Sequence, residues 1–127
     1  MAEPTQGKRP LSPHLTIYRP QLTSVTSILT RITGNALLLG AVLVVSWFLS
    51  AAISAAAFAR VDGLMTSWLG DLVMTLSLWA LWYHALAGLR HLIWDAGHGL
   101  ELEVAEKLGW GVIFGSVILT VLTLVLI

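Results

Sequence analysis

One histidine, His84, differs from the other ionisable residues of this sequence because it lies deep within a long apolar stretch. No charged residue occurs from Leu72 to Leu89. If a helix starts at Leu72, its rise of about 1.5 Å per residue puts His84 about 18 Å along the axis, inside the hydrocarbon zone of a bilayer. An ionisable side chain at that depth is energetically costly and indicates a functional site. An imidazole can serve there as a metal ligand.

The neighbours of His84 favour one kind of ligation. Ala87 and Gly88 follow at i+3 and i+4, on the same helical face. Their small side chains leave a shallow groove, which a flat macrocycle beside its axial ligand would need. His91 lies two turns on, roughly 10 Å away, too far to bind the same iron but close enough to meet a haem propionate. Asp95 extends this stripe by one turn.

A structural role for His84 is the alternative. A buried histidine can simply hydrogen-bond a neighbouring helix, and such bonds contribute about 0.6 kcal/mol on average. The aromatic residues Trp79, Trp82 and Tyr83 do not separate the two interpretations, since aromatic residues in a span commonly pack or anchor it at the interface. The position of His84 alone leaves both roles open.

A haem with two axial ligands would need a second polypeptide. His14 and His98 belong to predicted extramembrane segments, and His91 shares the helix of His84. Three spans are also too few to enclose a macrocycle. We therefore expect this chain to contribute half of a haem site, completed by a partner subunit.

Ser27 and Arg31 form a second candidate site, one helical turn apart at the entry to the first apolar run. They could donate hydrogen bonds to the carbonyl oxygen of a quinone head group. Arg31 could instead pair with a haem propionate through a bidentate bond. It could also be an interfacial anchor with a hydroxyl neighbour. The spacing leaves these uses open.

The composition predicts the elements that position these residues. Hydrophobic residues make up 57% of the 127 residues and charged residues only 11%, against about 25% in soluble domains. A helix needs about 20 apolar residues to cross a bilayer. The charge-free runs are Ile32–Ala59, Leu72–Leu89 and Leu108–Ile127. The second run is long enough if Arg90 and His91 lie at the headgroup boundary, where a basic side chain can snorkel.

We therefore predict an all-α integral membrane protein with three transmembrane helices in an up-down-up arrangement. A cytoplasmic segment, 1–21, precedes a membrane anchor, 22–127. Its spans cover about 31–58, 72–94 and 108–127, with an outer turn at 60–71 in which Leu64–Leu69 could form a short interfacial helix.

The distribution of basic residues predicts the orientation. Six basic residues flank the ends expected on one side, and only Arg60 lies in the outer loop. The six are Lys8, Arg9, Arg19, Arg31, Arg90 and Lys107. The amino terminus is therefore expected to be cytoplasmic.

The sequence also excludes some function classes. A net charge of zero gives no indication of nucleic-acid binding. The first 31 residues resemble neither a signal peptide nor a transit peptide, which favours a bacterial inner membrane over a mitochondrial one. Without cysteine, the chain holds no disulfide, no cysteine-ligated iron–sulfur cluster and no c-type haem.

Three segments together resemble a known family. They are Arg9–Tyr18 (RPLSPHLTIY), Ser24–Gly34 (SVTSILTRITG) and His84–Asp95 (HALAGLRHLIWD). The patterns S-I-x-x-R-x-[ST]-G and H-x-x-x-G-x-R-H-x-x-x-D, at this separation, are similar to those of the cytochrome b membrane-anchor subunit of succinate dehydrogenase, respiratory complex II. The resemblance extends over essentially the whole chain, although the outer loop and the third span match in hydropathy only.

The resemblance implies roles for the candidate residues. His84 matches the axial ligand of haem b, with the other ligand supplied by the second small anchor subunit. Ser27 and Arg31 match residues that line the ubiquinone pocket. Arg31 and His91 become propionate neighbours, and Asp95 a residue for proton delivery. Some family members carry histidine where this chain has Thr30, so the propionate contact of that position is not expected here.

The implied activity is electron transfer from succinate to ubiquinone, through a flavoprotein subunit and an iron–sulfur subunit that dock on this anchor. The alternatives are a haem-free structural anchor, a fumarate reductase-type anchor that uses menaquinone, and a small transporter subunit. The last is disfavoured because the first span carries no ionisable residue of the kind that coupled transport requires.

Overall fold

The computed structural model describes residues 17–127, which form four helices. Residues 1–16, and with them His14 and most of the predicted segment 1–21, lie outside the described part. The helices are α1 (Leu22–Ile53), α2 (Ala55–Met65), α3 (Trp68–Asp95) and α4 (Leu102–Leu126). Three of them, α1, α3 and α4, are long and apolar enough to cross a membrane. The all-α fold with three spans is therefore confirmed.

The first span ends earlier than the sequence suggests. Ser54 adopts an extended backbone conformation, with φ −171° and ψ 158°, and so separates α1 from α2. Its hydroxyl oxygen then accepts a hydrogen bond from the N–H of Ala57 at 3.1 Å, which caps α2. Trp47 Nε1 donates to Asp62 Oδ1 at 3.1 Å and fastens α2 to α1. The outer connection is thus largely helical, but its helix α2 covers Ala55–Met65, whereas the sequence predicted a turn at 60–71 with a short interfacial helix at 64–69.

Helix α3 packs against both other spanning helices, mostly through small or hydroxyl-bearing residues. Such residues let helix backbones approach closely where lipid provides no hydrophobic drive for association. The buried positions are Thr26, Thr33, Gly40 and Ser50 on α1, Ala80, Tyr83, Ala87 and Arg90 on α3, and Ala105, Gly109, Val112, Ser116 and Thr120 on α4. The large aliphatic side chains are left on the outside of the bundle.

The outer surface is correspondingly apolar. Leu38 is 70% exposed, Phe48 72% and Val125 76%. In water such a continuous surface would drive aggregation, whereas lipid tails or a partner helix can cover it. The interior is held in part by polar contacts, among them the hydrogen bond from Trp82 Nε1 to Thr123 Oγ1 at 3.0 Å between α3 and α4.

The turn between α2 and α3 requires a glycine at position 70. A Cβ there would overlap the backbone carbonyl oxygens of Leu64 and Met65, whereas a Cβ at Gly63 meets nothing within 4 Å. We expect Gly70→Ala to destabilise the protein by about 1–3 kcal/mol, because backbone atoms must move to admit the methyl group. Gly63→Ala should leave stability unchanged or raise it by up to about 1 kcal/mol through helix propensity. Thermal unfolding in the same detergent compares the two; equal melting temperatures would contradict the prediction.

Candidate functional site

His84 lies where α3 crosses α1, half-buried, with its ring against the backbone of α1. Its Nδ1 is 3.1 Å from the carbonyl oxygen of Thr30 and 3.4 Å from Thr33 Oγ1. The Thr33 hydroxyl already donates to the carbonyl of Leu29 at 2.8 Å, so its oxygen is available as an acceptor. A carbonyl oxygen can only accept a hydrogen bond. In this arrangement Nδ1 therefore carries a proton and donates it to Thr30.

This contact determines what the other ring nitrogen can do. A neutral imidazole with its proton on Nδ1 has a lone pair on Nε2. Within residues 17–127, no hydrogen bond engages Nε2 of His84. Metal-bound histidines commonly donate their second ring N–H to a backbone carbonyl, which fixes the tautomer and the ring orientation. The geometry at His84 is of that kind.

Two glycines shape the space around the ring. A Cβ at Gly34 of α1 would stand 3.0 Å from His84 Cε1, so any side chain at that position would press the ring away by a few tenths of an ångström. A Cβ at Gly88 would meet nothing within 4 Å, which leaves open space one turn beyond His84. Ala87 is fully buried in the bundle, so the groove predicted from Ala87 and Gly88 is bounded by Gly88 and not by Ala87.

An apolar groove of about 460 Å³ lies between α1 and α3, and its nearest lining residue on α3, Leu81, is one turn before His84. Ser77 and Leu81 contribute to it, and they precede His84 by two turns and one turn on the same face of α3. The lining residues are Leu37, Gly40, Ala41, Val44, Met74, Ser77, Leu78 and Leu81. The groove extends away from His91, so His84 stands between an apolar region and a polar one.

His91 and Asp95 lie towards the carboxyl end of α3 and are exposed. The Nδ1 of His91 is 2.7 Å from the carbonyl oxygen of Ala87 in its own helix, and the ring meets Trp94 edge-on at a centroid distance of 5.3 Å. A carbonyl oxygen only accepts, so Nδ1 of His91 is the donor in this contact, and no hydrogen bond engages Nε2 within residues 17–127. Asp95 is the last residue of α3.

Ser27 and Arg31 lie one turn apart on α1. Ser27 is half-buried and Arg31 is exposed. No salt bridge engages Arg31 within the described part of the chain. Ser27 directly follows Thr26, which Tyr83 of α3 contacts. Arg31 directly follows Thr30, which His84 of α3 contacts. The structure therefore brings Ser27, Arg31 and His84 to the same crossing of α1 and α3, with His91 and Asp95 further along α3.

Arg90 is a residue whose position the sequence did not predict. It was expected to snorkel to the headgroups, yet it is only 3% exposed and points into the bundle. Its Nη1 donates to Thr26 Oγ1 at 3.1 Å, and its guanidinium carbon lies 4.7 Å from the centroid of the Trp94 ring. The hydroxyl of Tyr83 donates to the carbonyl of Thr26 at 3.1 Å. The spacing of Ala80, Tyr83, Ala87 and Arg90 is the signal that could have revealed this face.

Comparison with known proteins gives consistent matches. The family model of the succinate dehydrogenase/fumarate reductase transmembrane subunit matches residues 5–123. The succinate dehydrogenase cytochrome b556 subunit of Paracoccus denitrificans is 56% identical over 125 residues, covering 98% of this chain and 96% of the relative. That of Rickettsia conorii is 38% identical over 120 residues, 91% of this chain and 90% of the relative. The cytochrome b560 subunit of Reclinomonas americana is 41% identical over 107 residues, 80% of this chain and 74% of the relative.

The contact at Thr30 predicts the tautomer of His84. In the isolated chain in detergent, we expect the side chain to be held as the Nδ1–H form, because the opposite tautomer would set a lone pair against a carbonyl oxygen. Nitrogen-15 NMR of labelled histidines measures this directly. His98, which is exposed in the loop before α4, should show averaged tautomers and serves as the comparison. A dominant Nε2–H form at His84 would contradict the assignment.

Proposed function

The chain belongs to the succinate dehydrogenase/fumarate reductase transmembrane subunit family, and we propose that it is the cytochrome b anchor subunit of a succinate dehydrogenase. The observation that carries this proposal is the state of His84: Nδ1 donates to the Thr30 carbonyl, and Nε2 is left with a lone pair. This is the condition of an axial haem ligand. A structural histidine would make the same hydrogen bond to α1, and the haem role is favoured because the relatives described above are named as cytochrome b subunits.

The residues present fit haem b. His84 would bind the iron through Nε2, with the open space at Gly88 and the apolar groove beside it to receive the macrocycle. When bound, haem b supplies a one-electron redox centre. This chain's residues exclude water from one side of that centre and hold the imidazole in a fixed orientation. The second iron ligand would come from another small anchor subunit, because His91 and His98, the other histidines of the described part of the chain, lie elsewhere in the fold.

The polarity of the surroundings supports one orientation for the group. Arg31 belongs to the turn of α1 that His84 contacts, and His91 lies two turns from His84 towards the end of α3, and both could bind anionic propionates. The apolar groove extends the opposite way, towards the end of α1. Hydrocarbon edges would be favoured in that groove and carboxylates would not.

Ser27 and Arg31 are proposed to bind the head group of ubiquinone. A hydroxyl and a guanidinium one turn apart can both donate to a quinone carbonyl oxygen, and the guanidinium favours the negative charge that develops there on reduction. Electrons would reach this site from succinate through the flavoprotein and iron–sulfur subunits, which dock on the anchor. Asp95, exposed at the end of α3, is proposed to support proton delivery to the reduced quinone.

The proposed setting is a bacterial inner membrane, with the amino terminus in the cytoplasm. Arg90 and Gly109 lie beside Leu22, so the start of α1, the end of α3 and the start of α4 meet at one end of the bundle. Most of the basic residues belong to that end, which supports a cytoplasmic assignment for it. The iron–sulfur subunit would dock there, close to Ser27 and Arg31.

Two alternatives belong to the same family. A haem-free anchor would dock the soluble subunits only, and the naming of the relatives as cytochrome b556 and b560 subunits argues against it. A fumarate reductase-type anchor would use menaquinone in the reverse reaction. The relatives described above are named as succinate dehydrogenase subunits, which favours the forward enzyme.

Replacing the proposed ligand tests the haem site. In the assembled complex, we expect His84→Leu to abolish the low-spin haem signal of the reduced-minus-oxidised absorbance spectrum, because a leucine side chain offers no donor atom. His98→Gln, at the exposed loop histidine, should leave the spectrum unchanged. Quinone reduction is to be scored separately, since electrons can reach a quinone without passing through haem. An unaltered spectrum for His84→Leu would exclude this residue as a ligand.

A conservative change at Ser27 tests the quinone site. We expect Ser27→Ala to raise the KM for a short-chain ubiquinone about fivefold, the usual effect of losing one hydrogen bond. The matched control is Ser46→Ala, which removes an exposed hydroxyl from the same helix about 28 Å away. If both variants keep the wild-type KM, Ser27 does not bind the quinone.

A further inference from the structure

Helix α3 makes polar contacts with two consecutive turns of α1, at Thr26 and at Thr30. The hydroxyl of Tyr83 donates to the carbonyl oxygen of Thr26 at 3.1 Å, and Arg90 Nη1 donates to Thr26 Oγ1 at 3.1 Å. One turn later, His84 Nδ1 is 3.1 Å from the carbonyl oxygen of Thr30. Two of these three contacts therefore converge on Thr26, one on its backbone and one on its side chain.

Thr26 is fully buried and precedes Ser27 directly. Its hydroxyl donates to the carbonyl of Thr23 at 3.1 Å and accepts from Arg90, so both of its hydrogen-bonding functions are in use. Successive residues of a helix are rotated by about 100° around the axis. When Thr26 and Thr30 are fixed towards α3, the directions of Ser27 and Arg31 are fixed as well.

Arg90 depends strongly on the Thr26 hydroxyl. Its guanidinium is buried where three helices meet: Thr26 on α1, Trp94 on its own helix, and α4 at Gly109, where a Cβ would be 3.4 Å from Nη1. No acidic residue pairs with it within residues 17–127, and its Nε has no hydrogen-bond partner there. A buried cation that loses one of so few contacts will move to regain it.

We propose that Thr26 is a positioning residue for quinone binding: held by Arg90 and Tyr83, it sets the rotation of α1 that directs Ser27 and Arg31 to the head group. This inference rests on the proposed quinone site at those two residues. Thr26 itself touches no quinone and acts through its neighbour. Through its hydrogen bond to Thr26, Arg90 fixes the rotation of α1 from inside the bundle. It does not anchor α3 at the headgroups.

The test compares three threonine variants in the assembled complex. Thr26→Val keeps the shape of the side chain and removes the hydroxyl, whereas Thr26→Ser keeps the hydroxyl. Thr120→Val is the matched control, because Thr120 is also buried and its hydroxyl donates only within α4, to the carbonyl of Ser116. The equilibrium Kd for a short-chain ubiquinone is measured without succinate, and KM and kcat are measured with it.

We expect Thr26→Val to raise both the Kd and the KM for ubiquinone about fivefold, with kcat changed less than twofold, because Ser27 is turned away from the head group and one neutral hydrogen bond to the quinone is lost. Thr26→Ser and Thr120→Val should bind quinone as the wild type does. Should Thr26→Val fail to assemble, Tyr83→Phe provides the second variant. It removes the other contact to Thr26 while preserving the ring, and it should raise the same two constants.

The outcomes separate this inference from the proposed function. If Ser27→Ala weakens quinone binding but Thr26→Val and Tyr83→Phe do not, the positioning role is overturned and the quinone site stands. If Thr120→Val weakens binding as much as Thr26→Val does, general loosening of the bundle explains the result and the inference also fails. If Ser27→Ala and Thr26→Val both bind quinone normally, the proposed quinone site fails, and the inference with it.

Discussion

The hydrogen bond between His84 Nδ1 and the Thr30 carbonyl joins two membrane-spanning helices and fixes the chemistry of the imidazole. Gly34 leaves room for the ring on α1, where a Cβ would stand 3.0 Å from His84 Cε1. In a low-dielectric interior such a bond is strong and the cost of leaving it unmade is high, so the tautomer with Nε2 unprotonated is favoured. The orientation of the imidazole and its free nitrogen therefore follow from this one contact.

Helix α3 carries two adjacent stripes with different tasks. Ala80, Tyr83, Ala87 and Arg90 face inwards and hold the bundle together. The neighbouring stripe of His84, Gly88, His91 and Asp95 begins at the edge of the bundle and becomes exposed along the helix. Residues 83 and 84 are rotated by about 100° relative to each other, as are residues 90 and 91. The packing residues and the site residues therefore lie on different faces of the same helix.

The three spanning helices leave a large apolar surface that this chain does not cover by itself. Small residues form the contacts between α1, α3 and α4, and large apolar residues cover the outside. Such a chain is stable only in lipid or against other apolar helices. The half-buried His84 lies at the margin of this surface. A partner helix could therefore reach the free nitrogen, which agrees with the deduction that a second polypeptide completes the site.

The sequence by itself determined the three spans, the depth of His84 and, through two short motifs, the family. These follow from local quantities: the transfer cost of each side chain and the order of residues along the chain. Only the tertiary structure decided the direction of Arg90, the break at Ser54 and the partner of His84 Nδ1. A basic residue near the end of a span can be satisfied by lipid headgroups or by a hydroxyl group on another helix, and hydropathy is the same in both cases. The choice depends on contacts such as that between Arg90 and Thr26, which are 64 residues apart in the chain and become neighbours only when the helices pack.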